Sequence, residues 1–223
     1  MANWEQLNFQ DRNNPLIEQL IFLHDHIIRI LILIIIPVTY IIILFIRTKK
    51  TIIFQENHEL EILWTILPGL ILILIAFPSL RLLYITEENE SNPISIKVMG
   101  HQWYWSYEYS NFFNLEFDSF MTPTRKKIFR LLETDNAIWL PIKSFATLFI
   151  SSTDVLHSWT IPALGLKIDA SPGRLNSTSL FNYKPGLYFG QCSEICGTNH
   201  SFIPISLNIS NNILFKNWIK NNN

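Results

Sequence analysis

Residues 187–209 read LYFGQCSEICGTNHSFIPISLNI, a loop rich in metal-binding side chains between two stretches in which apolar and polar residues alternate. The alternation at both ends predicts two β-strands joined by that loop. The loop holds the only two cysteines of the sequence, Cys192 and Cys196, with His200 four residues after the second. Two thiolates and an imidazole this close in sequence converge if the loop folds back on itself. Sulfur together with ring nitrogen suits copper, zinc or iron–sulfur rather than magnesium or calcium.

The cysteine spacing alone leaves two interpretations open. Three residues separate Cys192 from Cys196, which permits a disulfide, a common use of paired cysteines in a domain outside the cytoplasm. A second histidine, His157, lies upstream and would complete a Cys₂His₂ set, for which zinc is the default metal. Spacing does not decide between disulfide and metal.

Two uncharged apolar runs in the first part of the chain predict membrane spans. Ile30 to Ile46 gives 17 such residues and Ile62 to Leu80 gives 19, close to the ~20 that cross a bilayer as a helix. Arg47, Lys49 and Lys50 open the loop between the runs, so the positive-inside rule places that loop on the cytoplasmic or matrix side. The expected organisation is an N-terminal segment over 1–26 on the opposite face, a transmembrane hairpin over 27–86 with spans at about 27–47 and 62–82, and a further domain over 87–223.

Composition and motifs exclude several classes of function. With a net charge of −1 and neither a basic run nor zinc-finger spacing, the sequence predicts no nucleic-acid partner. Dinucleotide, phosphate-loop and Gly-x-Ser-x-Gly fingerprints are absent from it. From residue 87 onward, short apolar and aromatic alternations broken by Asn, Pro and Gly predict an all-β sandwich or barrel. The tail beyond Ile213 is expected to close this domain with a short helix.

A second informative stretch is GHQWYWSYEY, residues 100–109, which places five aromatic rings in seven consecutive positions. A strand that alternates faces buries one set of rings and exposes the other. Exposed rings of this kind mark partner surfaces, but core packing alone explains such a cluster equally well.

Taken together, these features resemble subunit II of the cytochrome c oxidases over nearly the whole chain. The resemblance rests on the hairpin and on three blocks in order, Gly100 to Tyr109, Ser151 to Asn176 and Gly190 to Pro204. It implies a two-helix transmembrane hairpin followed by an all-β cupredoxin-like Greek-key domain, and it favours metal over disulfide. It also implies a subunit of the oxygen-reducing, proton-translocating terminal oxidase of respiration, which accepts electrons from cytochrome c and passes them to haem in subunit I.

The resemblance implies a dinuclear copper A centre in the β-domain. In that family Cys192 and Cys196 would bridge two copper ions as thiolates, with His157 completing one copper and His200 the other. The backbone carbonyl of Glu194 would add a weak axial bond. Its carboxylate would bind a magnesium ion shared with subunit I, and carboxylate oxygen is a ligand that magnesium accepts.

One family ligand is missing, because the axial methionine falls at Ile203, which has no donor atom. A weak axial bond tunes the potential more than it holds the metal, so a site with Ile203 would still bind copper. The chain has 35 isoleucines against 3 methionines, and many mitochondrial genetic codes read a standard isoleucine codon as methionine. The preferred hypothesis is translation with the wrong code, which would make residue 203 methionine in the natural protein.

The resemblance also implies roles away from the copper ligands. Trp103 would be the surface ring that receives electrons from cytochrome c, and four acids would steer that basic partner: Glu108, Asp118, Asp135 and Asp154. From residue 87 onward acidic and basic residues balance at 11 each, so steering requires a local patch. Glu61 matches the family position at the mouth of a proton pathway, and a lone carboxylate there is equally typical of an interfacial helix end.

The implied location is the mitochondrial inner membrane, with the copper domain in the intermembrane space and with subunits I and III and the bilayer as neighbours. Two alternatives stay open. A quinol oxidase subunit would share the hairpin and β-domain without copper, although the cysteines and the histidines His157 and His200 oppose it. A structural, membrane-anchored β-domain with a Cys192–Cys196 disulfide is the alternative from another class.

Overall fold

The structure is a computed structural model that describes residues 6–48, 56–87, 92–112, 115–123 and 129–222. The chain divides into two units, one of Gln19–Ile85 and one that combines Met1–Glu18 with Thr86–Asn223. Lys49 and Lys50, on which the predicted orientation of the hairpin depends, lie outside the described residues.

Two long helices cover the two predicted spans, α1 at Pro15–Arg47 and α2 at His58–Glu87. Both are long and apolar enough to cross a membrane, and their most apolar windows are not buried in the protein. A continuous exposed apolar surface of this kind is unfavourable in water and matches the interior of a bilayer. Both helices extend beyond the predicted spans, because polar residues at the ends continue the helix after the apolar run has stopped.

The remainder is a β-domain closed by a short helix, α3 at Asn212–Asn222. Its ten strands in the described residues are β1 Ile94–His101, β2 Tyr104–Tyr109, β3 Glu116–Ser119, β4 Ile138–Pro141, β5 Phe145–Ser152, β6 His157–Ile161, β7 Leu166–Ala170, β8 Asn176–Phe181, β9 Gly186–Gln191 and β10 Pro204–Ser210. The predicted all-β domain and the predicted closing helix are both confirmed.

The strands form a five-stranded sheet in the order β3-β2-β1-β5-β8, a three-stranded sheet β4-β10-β9 and a two-stranded sheet β6-β7. The pairs β1–β5 and β4–β10 are parallel, and the other pairs are antiparallel. In the register of β9 and β10, Gln191 lies opposite Pro204. The two ends of the cysteine loop therefore meet, and the loop must fold back on itself as the sequence predicted.

Alternation along the strands builds the core. Ile96 and Val98 of β1 and Trp105, Tyr107 and Tyr109 of β2 are at most 1% exposed. The aromatic stretch thus buries one set of its rings and leaves Tyr104, on the other face of β2, half-buried, as the two-residue period of a strand requires. Trp103 lies in the turn before β2 and is also half-buried.

The N-terminal segment belongs to the same unit as the β-domain. The side chain of Asn13 accepts a hydrogen bond from the Lys184 N–H at 2.6 Å and donates one to the Lys184 carbonyl at 3.3 Å. The Tyr183 N–H donates to the Asn13 carbonyl at 2.9 Å. These bonds hold the start of the chain on the turn between β8 and β9.

Candidate metal centre

Three of the predicted ligands converge in the β-domain. The ligand atoms of His157, Cys192 and Cys196 all lie within 4.8 Å of one another, and all three residues are buried. His157 begins β6 while the cysteines follow β9, and the Ser193 N–H donates to the Ser158 carbonyl at 3.0 Å. This bond ties the loop to β6, which is how a histidine 35 residues before Cys192 reaches the sulfur atoms. Both cysteines are free thiols.

Each sulfur faces one histidine through the same ring atom. His157 Nδ1 lies 3.8 Å from Cys192 Sγ, and His200 Nδ1 lies 3.4 Å from Cys196 Sγ. The Glu194 carbonyl oxygen is 3.3 Å from Cys192 Sγ. Two sulfurs, two ring nitrogens and one carbonyl form a donor set that fits copper, and the presence of thiols opposes magnesium or calcium.

Asp154 fixes the orientation of His157. His157 Nε2 donates to Asp154 Oδ1 at 2.9 Å, and the carboxylate also accepts the N–H groups of Val155 and Gln102, each at 2.6 Å. Partial burial opposes ionisation of this carboxyl, but those three hydrogen bonds outweigh it and hold the pKa of Asp154 below its usual value. An ionised carboxylate only accepts, so Nε2 carries a proton whether or not the ring is charged, and Nδ1 is the ring atom that faces the sulfur.

The ring of His157 is also enclosed by packing. A Cβ atom at Gly100 would lie 2.9 Å from His157 Cδ2, so only glycine at this position of β1 leaves room for the imidazole. Trp105 meets the same ring edge-on, with centroids 5.8 Å apart and planes at 62°. The His157 side chain is 0% exposed as a result.

Trp103 packs against the loop beside Cys196. Gln102 Nε2 donates to the Cys196 carbonyl at 2.8 Å. Gly197, which follows Cys196, has φ +126°, and a Cβ atom there would lie 3.3 Å from Trp103 Nε1. Glycine is therefore required both by the backbone conformation and by the close approach of the indole. The indole predicted to accept electrons therefore lies beside the residue that follows Cys196, a predicted ligand.

The two thiols differ in acidity in the metal-free protein. Burial opposes ionisation of Cys192, but hydrogen bonds with His157 and with main-chain groups of Ser158 and Glu194 outweigh it and lower the pKa of Cys192 to about 7. Burial and then the neighbouring Cys192 thiolate raise the pKa of Cys196 to about 12. A metal that binds both sulfurs must therefore displace a proton from Cys196.

Comparison with known proteins agrees with this arrangement. The sequence model of the cytochrome c oxidase subunit II periplasmic domain matches residues 94–210, and that of the subunit II transmembrane domain matches residues 2–82. Cytochrome c oxidase subunit 2 of Aedes aegypti is 53% identical over 223 residues, which cover 98% of each chain. The Drosophila melanogaster protein is 49% identical over 227 residues and 100% of each chain.

The chain belongs to the cytochrome c oxidase subunit II family. It is accordingly part of a terminal oxidase complex, with other oxidase subunits as partners. The crystal structure of the periplasmic domain of subunit II from Bradyrhizobium japonicum superimposes with a TM-score of 0.57 and 40% identity, over 60% of this chain and 95% of that one. A subunit II domain captured in a mixed disulfide with a thioredoxin-like protein gives 0.54 and 38%. The predicted cupredoxin-like fold of this family is confirmed.

The position of the family's axial methionine lies at the end of the ligand loop. Ile203 is 1% exposed, and its carbonyl accepts the Cys192 N–H at 3.1 Å. The main chain of residue 203 thus supports Cys192, a predicted ligand, while its aliphatic side chain has no donor atom.

The four acids predicted to steer a subunit II partner have different surroundings. Glu108 is paired with Lys97 at 3.1 Å, and Asp154 supports His157. Asp118 and Asp135 are brought together by Asn136, whose Nδ2 donates to the Asp118 carbonyl at 2.8 Å and whose N–H donates to Asp135 Oδ1 at 2.7 Å. Only Asp118 and Asp135 therefore stay exposed as neighbouring acids without an ion pair among the described residues.

Glu61 lies in the first turn of α2, where its carboxylate is 3.6 Å from His58 Nδ1 and about half exposed. The side chain of Glu194 is half-buried on the ligand loop.

Gln102, Gly100 and Gly197 were not singled out from the sequence. Their positions in the two resemblance blocks, close to Trp103 and Cys196 in the sequence, are the signal that could have found them.

Proposed function

We propose that this chain accepts electrons from cytochrome c at a dinuclear copper A centre and delivers them to haem in subunit I. The observation that carries the proposal is that the ligand atoms of His157, Cys192 and Cys196 lie within 4.8 Å of one another, while His200 Nδ1 lies 3.4 Å from Cys196 Sγ. When bound, the copper pair would supply storage for one electron. The protein ligands would be Cys192, Cys196, His157, His200 and the carbonyl of Glu194.

The roles of the surrounding residues follow from their contacts. Asp154 holds the His157 tautomer that presents Nδ1, and Gln102 holds the main chain at Cys196. Rigid ligands reduce the rearrangement that accompanies a change of charge, which favours rapid electron transfer. Trp103, packed on Gly197, would receive the electron from the donor.

The two rival functions predict other arrangements. A copper-free quinol oxidase subunit has no use for a buried His157 held in a ligating tautomer by a carboxylate. A disulfide-stapled anchor needs bonded sulfurs, and the free state of Cys192 and Cys196 favours the metal.

The test is copper analysis of the purified oxidase that contains this chain. We expect two coppers more per complex than in a C192S variant, together with a multi-line electron paramagnetic resonance spectrum from two equivalent coppers that the variant lacks. The same copper content in both proteins, or a Cys192–Cys196 disulfide in the native complex, would overturn the proposal.

We also propose that residue 203 of the natural protein is methionine. A buried, donor-free side chain at the end of the ligand loop supports this, together with the excess of isoleucine. Peptide mass spectrometry of the protein from its source decides it, since an isoleucine residue mass at 203 contradicts the proposal.

Further expectations concern neighbours of the copper site. Glu194 would bind magnesium shared with subunit I, so E194Q should lower the magnesium content and leave copper unchanged. Asp118 and Asp135 would form the steering patch for cytochrome c. D118N and D135N should then raise KM for cytochrome c and reduce its salt dependence. An unchanged magnesium content in E194Q would contradict the role of Glu194. An unchanged KM in D118N and D135N would contradict the steering patch.

Glu61 would open a proton pathway, so E61Q should slow proton uptake by the reconstituted oxidase while electron transfer to copper stays at the same rate.

The oxidase would lie in the mitochondrial inner membrane with subunit III as a further neighbour and the copper domain in the intermembrane space. Protease protection of organelles with an intact inner membrane tests that orientation, and cleavage of the domain only after that membrane is opened would exclude it.

A further inference from the structure

A cavity of about 210 Å³ opens at the edge of the five-stranded sheet, far along β2 from the ligand-bearing end. Three aromatic side chains line it: Phe117 of β3, Trp139 of β4 and Trp218 of α3. Two carboxylates, Glu116 and Asp135, belong to the same lining, together with the small side chain of Ala137. None of the proposed copper ligands lines this cavity.

The aromatic walls are held in fixed orientations. Trp139 and Trp218 lie nearly parallel, with centroids 5.8 Å apart and planes at 14°, while Phe117 stands at 84° to Trp218 at 6.1 Å. The Tyr109 hydroxyl accepts a hydrogen bond from the main-chain N–H of Trp139 at 2.8 Å and donates one to the Trp139 carbonyl at 2.7 Å. These two hydrogen bonds fix the main chain of Trp139. Rigid aromatic faces attract cations through the negative charge above the ring.

The carboxylates leave uncompensated negative charge at this place. Across β1, β2 and β3, Lys97 lies opposite Glu108 and Glu108 opposite Glu116. Lys97 is paired with Glu108 at 3.1 Å, so the outer acid of the row, Glu116, has no cation in the described part of the chain. Like charges directly opposite each other on a sheet are unfavourable, and a cation beside Glu116 would relieve this.

Asp135 is fixed at the cavity and not neutralised. Its Oδ1 accepts the N–H groups of Phe120 at 2.8 Å and Asn136 at 2.7 Å. Those bonds orient the carboxylate, and no described lysine or arginine forms an ion pair with it. Lys216 and Lys220 of α3 are exposed, but neither lines the cavity.

The chemistry selects one kind of cation. A guanidinium is planar, stacks on indole faces and carries five donors that match carboxylates, whereas a lysine ammonium is compact and strongly hydrated. We propose that this cavity binds the guanidinium group of an arginine presented by a partner protein. The partner meets the oxidase subunit at the edge formed by β3, β4 and α3, and the site acts independently of copper.

The test uses the full chain in detergent micelles with its tryptophans replaced by 5-fluorotryptophan, followed by ¹⁹F nuclear magnetic resonance. The resonances of Trp139 and Trp218 are assigned with W139F and W218F. The probe is N-acetyl-arginine methylamide, which should shift these two signals and saturate. The citrulline analogue, which has the same shape and no charge, should cause no saturable shift, and the lysine analogue should bind at least threefold more weakly.

Variants locate the binding. E116Q and D135N should each weaken the probe by about three- to fivefold, the effect of losing one exposed charge partner. A137R fills the cavity with the chain's own guanidinium and should weaken the probe at least tenfold. D169N serves as the matched control, because Asp169 is exposed, lies in β7 and pairs with Lys167 at 3.7 Å; it should leave the titration unchanged.

Four results would overturn the assignment. They are the absence of any saturable shift, equal binding of the citrulline or lysine analogue, equal titrations for the wild-type chain and the E116Q and D135N variants, and much tighter binding of free arginine than of the blocked probe. The last would indicate a site for a free amino acid and not for a partner's side chain. Copper content does not enter this test, so its failure leaves the proposed electron-transfer function unaffected.

Discussion

Strand β2 begins at the metal site and ends at an aromatic cluster, and its two ends are stabilised in different ways. Near its start Trp105 packs on His157, whose ring is aimed by a carboxylate. At its end Tyr109 contacts Phe117 and Trp218, with centroids 6.3 and 5.5 Å away. Directional hydrogen bonds therefore decide where atoms point at the metal end, and ring packing decides how tightly the domain closes at the other. A substitution should change function at the first end and stability at the second.

The largest expected effect is on stability, from W218A. Trp218 contacts Tyr109, Phe117, Trp139 and Phe215, and its removal leaves a cavity among them. We expect the free energy of unfolding of the β-domain to fall by about 3 kcal/mol, at the low end for a truncated tryptophan because the ring is half-buried. Chemical denaturation followed by circular dichroism measures it.

In the same experiment W218F should keep most of the stability, and copper per folded molecule should match the wild type for both variants. Copper loss in folded W218A would mean that the two ends of β2 are coupled, contrary to the comparison.

D154N tests the metal end. An asparagine can turn its NH₂ group toward His157 and so favour the tautomer with the proton on Nδ1, the atom that faces Cys192. Copper affinity should fall by about 10- to 100-fold, as for other partners of metal-bound histidines. Competition with a copper chelator measures this, and D169N is the control for a lost surface charge. Unchanged affinity in D154N would remove Asp154 from the site.

The two thiols provide a test of local electrostatics in the metal-free chain. Cys192 and Cys196 are 7% and 4% exposed, so ionisation and not access should decide which reacts with iodoacetamide. Because the pKa of Cys192 is lowered to about 7 and that of Cys196 is raised, alkylation of Cys192 should rise as the pH increases through about 7. At pH 8 Cys192 should be mostly thiolate and Cys196 mostly protonated, so alkylation of Cys192 should be faster by more than about tenfold. Peptide mass spectrometry reads both sites, and equal rates would contradict the assigned acidities.

The smallest effect on stability is expected from a pair of glycine substitutions. Gly197 and Gly173 both have positive φ, so each change to alanine should cost about 1 kcal/mol or somewhat more. Only at Gly197 would the new Cβ meet Trp103, since nothing lies within 4 Å at Gly173. Stopped-flow reduction by cytochrome c should therefore slow in G197A and stay normal in G173A. The same rate in both variants would argue against Trp103 as the electron acceptor.

Regular patterns in the sequence predicted the architecture well. The uncharged runs predicted the two long helices, and the alternations at residues 94–98 and 205–209 became β1 and β10. The ends of the helices were less accurate, because the predicted spans stop where apolar residues stop. Hydrogen bonding along a helix does not require apolar side chains, so α1 and α2 continue through their polar ends.

Sequence alone determined the chemistry of the donors, because the residue type fixes the ligand atom and the loop joining β9 to β10 brings Cys192, Cys196 and His200 together over nine residues. Tertiary structure alone decided that Asp154 aims His157 and that three rings and two acids enclose a cavity at the far end of the domain. Residue periodicity reports which face of an element is buried. It carries no information on which side chains from distant segments meet on that face, and those meetings depend on how the sheets pack.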